Sequence, residues 1–162
     1  MTSFRICAVC SGNICRSPLA EVVLREAFTQ AGLADQVIIC SAGTGPWHIG
    51  QGADERAIAV AADHHLSLTS HQARMIDATH LAEVNLALAL DSGHLRALQR
   101  LPAPHAQIRL LRSFDPDQSW HADSLDVEDP YYGQLADFET VYQQVQAAAP
   151  GIVSFVRSQL PT

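Results

Sequence analysis

The sequence predicts an α/β fold: a single doubly wound domain, with a four-stranded parallel sheet flanked by helices on both faces. Short segments that are apolar at every position alternate with longer segments whose apolar residues recur at helical spacing. Strands that are apolar throughout are typical of parallel sheets, because helices cover both of their faces. The 162 residues give room for one domain with a sizeable core, and no repeat or linker divides the range 1–162.

The first half of the chain contains two of these strands. Residues 4–9 form the first, and the helix after it should begin at Ser17 or Pro18, because serine suits an N-cap and proline suits the first turn. That helix should end near Gly32, since glycine is favoured just after a helix. The other predicted elements of this half are a strand over 37–40, a loop over 41–52, and a helix that Asp54 caps and that ends in the polar pair His64 and His65.

The second half repeats the alternation and then interrupts it. No periodicity is visible over 112–133, where acidic residues, prolines and aromatics accumulate, and a long loop of this kind is typical of a functional segment. Pro150 either kinks the last helix or begins another one. The other predicted elements are a loop over 70–74, a short helix over 78–84, a strand over 85–90, a helix capped by Asp91 or Ser92 that reaches Leu101, a strand over 108–111 and a helix over 135–149.

The segment between the first strand and the first helix, Cys-Ser-Gly-Asn-Ile-Cys-Arg-Ser-Pro over 10–18, predicts an anion site. A tight loop that enters a helix directs successive backbone N–H groups at one point, where the helix dipole adds positive potential. Gly12 and Asn13 both tolerate the left-handed backbone that so tight a loop needs. The predicted phosphate-binding residues are Ser11, Gly12, Asn13, Ile14, Cys15, Arg16 and Ser17.

Two side chains of this loop favour catalysis over simple anion binding. N–H donors at a helix N-terminus stabilise a thiolate, so Cys10 is a candidate nucleophile. The guanidinium of Arg16 can bind two phosphate oxygens at once. Taken alone, the spacing Cys-x5-Arg also occurs by chance, with a buried cysteine and a surface arginine joined by an ordinary turn. The preceding strand and the following Ser-Pro favour the catalytic interpretation.

The segment 10–18 resembles the signature of the low-molecular-weight protein tyrosine phosphatases, and the resemblance spans nearly the whole chain. Further similar segments follow in the family's order: Ser-Ala-Gly-Thr at 41–44, His-Gln-Ala-Arg at 71–74, and Asp-Pro-Tyr-Tyr-Gly at 129–133 before Asp-Phe-Glu at 137–139. Trp-His at 47–48, Asp-Glu-Arg-Ala at 54–57 and Arg-Ser-Phe-Asp-Pro at 112–116 are similar to the actinobacterial members of that family.

The resemblance implies the remaining catalytic roles. A phosphatase of this kind needs a proton donor for the leaving oxygen, and the candidates are Asp126, Glu128 and Asp129. Pro130 restricts the backbone of Asp129, and the family's Asp-Pro-Tyr motif identifies Asp129 as the general acid. We expect Asp126 and Glu128 to be ordinary solvated acidic residues. The resemblance also implies that four residues support the phosphate loop: Asn13, Ser17, Ser41 and His71.

Aromatic and aliphatic residues predict a pocket for a phenyl ring. The expected walls are Ile14, Trp47, Tyr131 and Tyr132, although the tyrosines could instead anchor their loop by packing. In the family, isoleucine before the second loop cysteine accompanies phosphotyrosine specificity, whereas threonine accompanies phosphoarginine specificity. Ile14 therefore predicts phosphotyrosine. Many relatives carry a larger apolar residue at the position of Ser11, and His48 is left without a predicted role.

The four cysteines allow a rival interpretation as a metal site. Cys7, Cys10 and Cys15 have the spacing C-x2-C-x4-C, and Cys40 would supply a fourth ligand. Against it, Cys7 lies within an apolar strand, and Arg16 would place a cation beside the thiolates. We expect Cys7 and Cys40 to be small buried hydrophobic residues. Cys15 is instead a candidate for redox protection of Cys10 through a disulfide.

Composition excludes several other classes of protein. The net charge of −7 and the lack of a basic stripe argue against nucleic-acid binding, and no apolar run or signal pattern indicates a membrane. We expect a cytoplasmic monomer without metal or cofactor, with a phosphotyrosine protein as partner and phosphate or another oxyanion in its site. Arsenate reductases of this architecture need cysteines after Cys40, and none follows. A phosphopeptide-binding module without activity is the non-enzyme alternative.

Overall fold

The described residues of the computed structural model form four strands that lie parallel in one sheet, in the order β2-β1-β3-β4. The structure describes residues 3–117 and 124–161, so residues 118–123 of the predicted loop 112–133 lie outside the described part. The strands are β1 Phe4–Cys10, β2 Val37–Gly43, β3 Leu86–Ala89 and β4 Gln107–Leu110; the helices are α1 Arg16–Gln30, α2 Glu55–Asp63, α3 Ala78–Ala82, α4 Ser92–Gln99 and α5 Leu135–Gln159, with short 3-10 helices over Ala34–Gln36 and Leu111–Phe114.

Two apolar clusters cover the two faces of the sheet, as the sequence predicts. One contains the buried sides of α1, α2 and α5, and the other contains those of α3 and α4. Alternate residues of β1 belong to alternate clusters, so Cys10 faces α1 whereas Cys7 faces α3 and α4. The C-terminal ends of β1 and β3 meet at one edge, where parallel α/β sheets bind their ligands.

The first helix ends as predicted but begins earlier. Gly32 has φ +75°, and Leu33 N–H donates to Phe28 O at 2.9 Å, which together form a Schellman-type helix end. At the other end α1 begins at Arg16, with Cys15 as N-cap and no side-chain cap. The prediction that Ser17 caps this helix is therefore wrong: its hydroxyl is used within the phosphate loop.

Pro150 does not begin another helix, because α5 is continuous over Leu135–Gln159 with Pro150 inside it. Residues on both sides of Pro150 are buried against the same core, among them Ala148 and Ile152, and this packing offsets the lost backbone hydrogen bond. A Cβ atom on Gly151 would clash with Phe114 O, so the helix approaches that 3-10 segment closely. None of the described helices combines the length and apolarity needed to cross a membrane.

Smaller differences concern helix ends and the loop after β4. α3 ends at Ala82 and α4 at Gln99, both two residues before the predicted ends. Asp91, rather than Ser92, is the N-cap of α4, and its carboxylate accepts a hydrogen bond from His94 N–H. The first residues of the predicted loop form the 3-10 helix Leu111–Phe114.

Candidate functional site

A cavity of about 380 Å³ opens at the C-terminal end of β1, and the phosphate loop forms its floor. The loop comprises Ser11 to Cys15, between β1 and α1. Residues that are far apart in the sequence meet here, because the segment 124–133 returns to the same edge of the sheet. The predicted residues that line this cavity are Cys10, Ser11, Gly12, Ile14, Cys15, Arg16, Trp47, Asp129, Tyr131 and Tyr132.

The thiol of Cys10 lies at the buried end of the cavity, beside a hydroxyl group. Its Sγ is 2.9 Å from Ser17 Oγ, and Cys10 is only 3% exposed. Ser17 Oγ already accepts a hydrogen bond from Asn13 Nδ2 at 2.8 Å. The single hydroxyl proton of Ser17 has two acceptors within reach, Ala42 O at 3.4 Å and the sulfur of Cys10. When it points at Cys10, Ser17 can stabilise a thiolate there.

Asn13 is the residue on which the other loop contacts converge. Its φ of 60° lies in the left-handed region, and its side chain is fully buried. Nδ2 donates to both Ser17 Oγ and Ser41 Oγ, the latter at 3.0 Å, while Oδ1 accepts from Arg74 N–H at 3.0 Å. Both the nitrogen and the oxygen of the Asn13 side-chain amide are therefore hydrogen-bonded, and these contacts hold the loop in its curved form.

The other two support residues contact the loop from opposite sides. His71 Nε2 lies 2.7 Å from Asn13 O and donates to it. Ser41 accepts from Asn13 and donates to Glu21 Oε1 at 2.6 Å, which connects the loop to α1. The structure thus brings together all four residues for which the resemblance implied loop support.

Arg16 is held rigidly although its charge faces the cavity. It is 3% exposed, and Nη1 donates to Asp91 Oδ2 and to Val127 O, each at 2.8 Å. These two contacts fix the plane of the guanidinium. Nη2 then lies 3.8 Å from Asp129 Oδ2, on the side where a phosphate would bind.

Sequence reasoning missed the functional contacts of Asp91 and His94. Burial alone would raise the pKa of Asp91, but hydrogen bonding by His94 N–H and the charge of Arg16 lower it, so Asp91 is an anion. Burial lowers the pKa of His94 to about 4, and its neutral ring places Nε2 2.9 Å from Ser11 Oγ. The position of Asp91 after β3, the neighbour of β1, is the signal that could have identified it.

The proposed general acid lies on a more exposed segment. The Asp129 side chain is 48% exposed, and Oδ1 accepts a hydrogen bond from Tyr131 N–H at 3.1 Å. Asp126 is not the solvated residue that we expected: its carboxylate accepts from Ser92 N–H at 2.8 Å and lies beside the start of α4. Glu128 is exposed, as expected.

Arg56 supports this segment and was not predicted from the sequence. Its Nη1 donates to Gly133 O and its Nη2 to Tyr131 O, both at 3.0 Å. Asp54, the N-cap of α2, orients the guanidinium through Nε and Nη2. The segment that carries Asp129 is therefore attached to α2, and the pair Asp54 and Arg56 within the family-like segment 54–57 was the available signal.

The rim of the cavity is aromatic and accessible. Trp47 is 67% exposed and Tyr132 is 92% exposed, which rules out packing as the role of Tyr132. The two tyrosine rings meet edge to face at 5.0 Å. Gly12 does not have the left-handed backbone that we expected; instead, a Cβ atom there would lie 2.7 Å from His48 Cδ2. Gly12 thus makes room for His48, which lines the cavity.

The cysteines do not form the metal site that their sequence spacing allowed. All four lie in the described part of the chain and are free thiols. Cys7 and Cys10 face opposite sides of the sheet, so C-x2-C-x4-C cannot converge on one ion. Cys40 is partly exposed rather than buried. Burial raises the pKa of Cys15, which is a neutral thiol on the cavity wall.

Outside this cavity, His64 at the end of α2 has a structural role. His64 Nε2 lies 2.8 Å from Glu139 Oε1, and its ring stacks on Tyr142 at 3.6 Å. This contact fixes α2 to α5, beside a groove of about 610 Å³ between α1 and α5. None of the residues that line this groove is a thiol or carboxylate paired with a buried arginine, so it lacks the chemistry of the smaller cavity.

Comparison with known proteins agrees with this geometry. The family model described as low molecular weight phosphotyrosine protein phosphatase matches residues 5–161. A low molecular weight protein-tyrosine-phosphatase of Streptomyces coelicolor is 48% identical over 161 residues, which is 98% of this chain and 96% of that protein. The low molecular weight protein-tyrosine phosphatase A of Mycobacterium tuberculosis is 47% identical over 152 residues, 94% of this chain and 91% of its own length.

Solved structures show the same fold. The crystal structure of Primo-1 superposes with a TM-score of 0.85 at 33% identity, over 93% of this chain and 97% of that one. The crystal structure of the Drosophila arginine phosphatase DARP gives a TM-score of 0.84 at 28% identity, over 96% of this chain and 99% of that one.

Proposed function

Because the chain belongs to the low molecular weight phosphotyrosine protein phosphatase family, we propose that it hydrolyses phosphotyrosine in proteins with Cys10 as its nucleophile. One observation carries this assignment. Cys10 Sγ lies 2.9 Å from Ser17 Oγ, at the floor of a cavity that Arg16 and Asp129 also line. A nucleophile, a cation for the phosphoryl oxygens and a carboxyl group for the leaving oxygen thus face one small volume.

In the first half of the proposed reaction, the Cys10 thiolate attacks phosphorus in line with the departing phenolate. The S–P bond forms as the P–O bond to tyrosine breaks, and protonated Asp129 transfers its proton to the leaving oxygen. The exposed, cavity-lining position of Asp129 suits this role, because the leaving group departs toward the open end. The product tyrosine leaves, and a cysteinyl-phosphate remains.

In the second half, the Asp129 carboxylate accepts a proton from water as the water oxygen attacks phosphorus. The S–P bond breaks, inorganic phosphate forms and the thiolate returns to its contact with Ser17. Backbone N–H groups of the loop and the guanidinium of Arg16 stabilise the equatorial oxygens throughout. These groups supply the charge stabilisation of the proposed route, which includes no metal ion.

Asp91 has a positioning role in this proposal. Its carboxylate holds Arg16 Nη1 at 2.8 Å, and Val127 O holds the same nitrogen at 2.8 Å. The guanidinium therefore does not have to reorient when phosphate binds, which lowers the entropic cost of the transition state. Lysine in place of Arg16 would keep the charge but lose the planar, two-point grip.

Phosphoarginine is the second candidate substrate, because the fold superposes on that of an arginine phosphatase. The cavity of this chain favours phosphotyrosine. Ile14 lines it with a branched aliphatic side chain, and Trp47, Tyr131 and Tyr132 surround its opening with aromatic surface. A phenyl ring packs well against such groups, whereas a guanidinium leaving group would lose hydrogen bonds there.

The proposed setting of this activity is that of a monomer in the cytoplasm. The partner is a protein that carries phosphotyrosine, and inorganic phosphate or a similar oxyanion occupies the loop between turnovers. Residues 1–162 act as one phosphatase domain in this proposal. The single sheet with its two covering layers supports a one-domain enzyme.

The decisive experiment measures the hydrolysis of a phosphotyrosine peptide and of an aryl phosphate in the presence of a metal chelator. We expect turnover by the parent and none by Cys10→Ser, while Cys10→Ser still binds phosphate or vanadate through the intact loop. Cys40→Ser is the matched control, because Cys40 does not line the cavity. An inactive parent that binds phosphopeptide would identify a binding module, and turnover by Cys10→Ser would exclude Cys10 as nucleophile.

A further inference from the structure

Three metal-ligating side chains converge on the face of the sheet opposite Cys10. Cys7 of β1 and Cys40 of β2 are direct partners in the parallel ladder, and His80 lies on α3. One ligand atom from each of the three lies within 4.8 Å of the other two. The cluster is made of two thiols and an imidazole, which are the ligands that zinc and similar thiophilic ions prefer.

The spacing of two of these ligands matches that around such an ion. Cys40 Sγ is 3.7 Å from His80 Nε2. With Zn–S and Zn–N bonds of usual length and tetrahedral angles, a sulfur and a nitrogen ligand lie about 3.6 Å apart, and two sulfurs about 3.8 Å apart. The Cys40–His80 distance therefore already has the length of one edge of a coordination tetrahedron, and the two distances to Cys7 are at most 4.8 Å.

The ring of His80 is not committed to another residue. Its Nε2 faces Cys40 Sγ, and its buried Nδ1 has no hydrogen-bond partner among the described residues. Coordination by this imidazole therefore breaks no hydrogen bond to a residue outside the cluster.

Two of the three ligands are partly exposed. Cys40 and His80 are partly buried, whereas Cys7 is fully buried. A polar cavity of about 280 Å³, lined by α1 and the segment 67–74, also touches Cys40. Solvent beside the two partly exposed ligands can supply a fourth ligand.

From this juxtaposition we propose that Cys7, Cys40 and His80 bind one zinc-class divalent cation at an accessory site distinct from the phosphatase cavity. The ion connects β1, β2 and α3, and two thiolates neutralise its charge. Because it links three elements, the ion stabilises the fold. Cys7 and the nucleophile Cys10 face opposite sides of β1, so the ion does not reach the phosphatase cavity. It takes no part in the proposed reaction.

The test titrates the protein with Co²⁺ and then with Zn²⁺ in a reductant that contains no thiol. We expect one equivalent of Co²⁺ with thiolate charge-transfer absorption and the visible bands of a tetrahedral ion, displaced by Zn²⁺. The melting temperature should rise by about 5–10 °C at free Zn²⁺ 100-fold above its dissociation constant. The thiol of Cys10 could also bind these ions, and the matched variant Cys10→Ser removes it. This variant should still bind one equivalent of Co²⁺ and of Zn²⁺.

Cys40→Ser and His80→Gln should each weaken Zn²⁺ binding by at least tenfold and lose the cobalt spectrum, whereas His105→Gln, at an exposed histidine, should change neither. Circular dichroism establishes that each variant is folded. If Cys40→Ser does not fold, His80→Gln decides alone. The proposal is overturned if the parent binds no equivalent of either ion, if binding is lost in Cys10→Ser and kept in Cys40→Ser, or if His80→Gln binds as the parent does.

Discussion

The floor and the rim of the phosphatase cavity are built in opposite ways. At the floor, Asn13 is fully buried and joins Ser17, Ser41 and Arg74 through its side chain. At the rim, Tyr132 is 92% exposed, and its ring contact within the described residues is with its neighbour Tyr131. The part of the rim that follows the proposed acid in the chain is attached through the backbone carbonyl groups of Tyr131 and Gly133, which Arg56 binds.

This difference follows from what each part has to recognise. Phosphate is the same in every substrate, so a loop whose donors are fixed in advance stabilises the transition state without reorganisation. Protein substrates differ around the phosphorylated residue, and exposed aromatic rings can contact many of them. We therefore expect changes at the floor to alter the rate of the chemical step and changes at the rim to alter the choice and binding of substrate.

The largest effect after loss of Cys10 should come from Asp129, which lies at the rim but acts on the chemistry. Asp129→Asn should slow phosphotyrosine hydrolysis by ~10²–10⁴-fold, because the phenolate no longer receives a proton. An aryl phosphate with a good leaving group should lose far less. The ratio of the two kcat/KM values measures this difference. Glu128→Gln, at the exposed neighbouring carboxylate, is the control, and an equal loss on both substrates would indicate a structural role for Asp129.

Asn13 tests whether the floor depends on its hydrogen bonds or on its backbone shape. Asn13→Ala and Asn13→Gly should both reduce kcat/KM by up to ~10²-fold, because the loop loses its internal contacts. Glycine tolerates φ 60°, so Asn13→Gly should unfold at higher urea and retain about 1 kcal/mol more stability than Asn13→Ala. Parental kcat/KM in Asn13→Gly would show that the backbone shape alone positions the loop.

Cys15 tests a second property of the floor, its response to oxidation. Peroxide converts a thiolate to a sulfenic acid, which a nearby thiol can capture as a disulfide before further oxidation. We expect the parent to regain most of its activity when reductant follows peroxide, and Cys15→Ala to regain several-fold less. Cys40→Ser is again the control. Equal recovery of parent and Cys15→Ala would assign Cys15 to packing only.

Ile14 lies where the floor meets the rim and tests substrate choice. The parent should prefer phosphotyrosine to phosphoarginine, and to phosphoserine, whose shorter side chain does not reach the buried thiolate. Ile14→Thr should narrow the tyrosine-to-arginine ratio of kcat/KM by about tenfold, since it exchanges apolar contact for a hydroxyl. Ile14→Val keeps the shape without the hydroxyl and should change the ratio little. A preference of the parent for phosphoarginine would contradict the proposed substrate.

The smallest effect should come from Tyr132. Tyr132→Ala should raise KM for a phosphotyrosine peptide by about 2–10-fold with kcat nearly unchanged, because an exposed ring contributes little beyond its own contact. Tyr132→Phe, which keeps the ring, should resemble the parent. A fall in kcat as large as that of Asp129→Asn would show that the rim orders the catalytic segment, and the division between floor and rim would then fail.

Most of the fold and the floor of the site could be predicted from the sequence, because both depend on local patterns. Apolar runs at strand length identified the four strands, and Gly32 marked the end of α1 through its left-handed backbone. Cys10 and Arg16 lie on one short loop, so their common orientation follows from a strand that enters a helix. The identification of Asp129 as the acid depended on the family resemblance rather than on any local pattern, because Asp129 lies 113 residues after Arg16 in the chain.

Tertiary packing decided the rest, since it concerns contacts between residues far apart in the chain. Asp91 orients Arg16, His94 contacts Ser11 and Arg56 binds the carbonyl groups of the 131–133 segment. The sequence shows each of them only as a helix cap or a surface charge. The same holds for Cys7, Cys40 and His80, which two strands and a helix bring within 4.8 Å. Period and spacing determine which face of an element a residue occupies, but only the packed sheet determines which other residue it meets there.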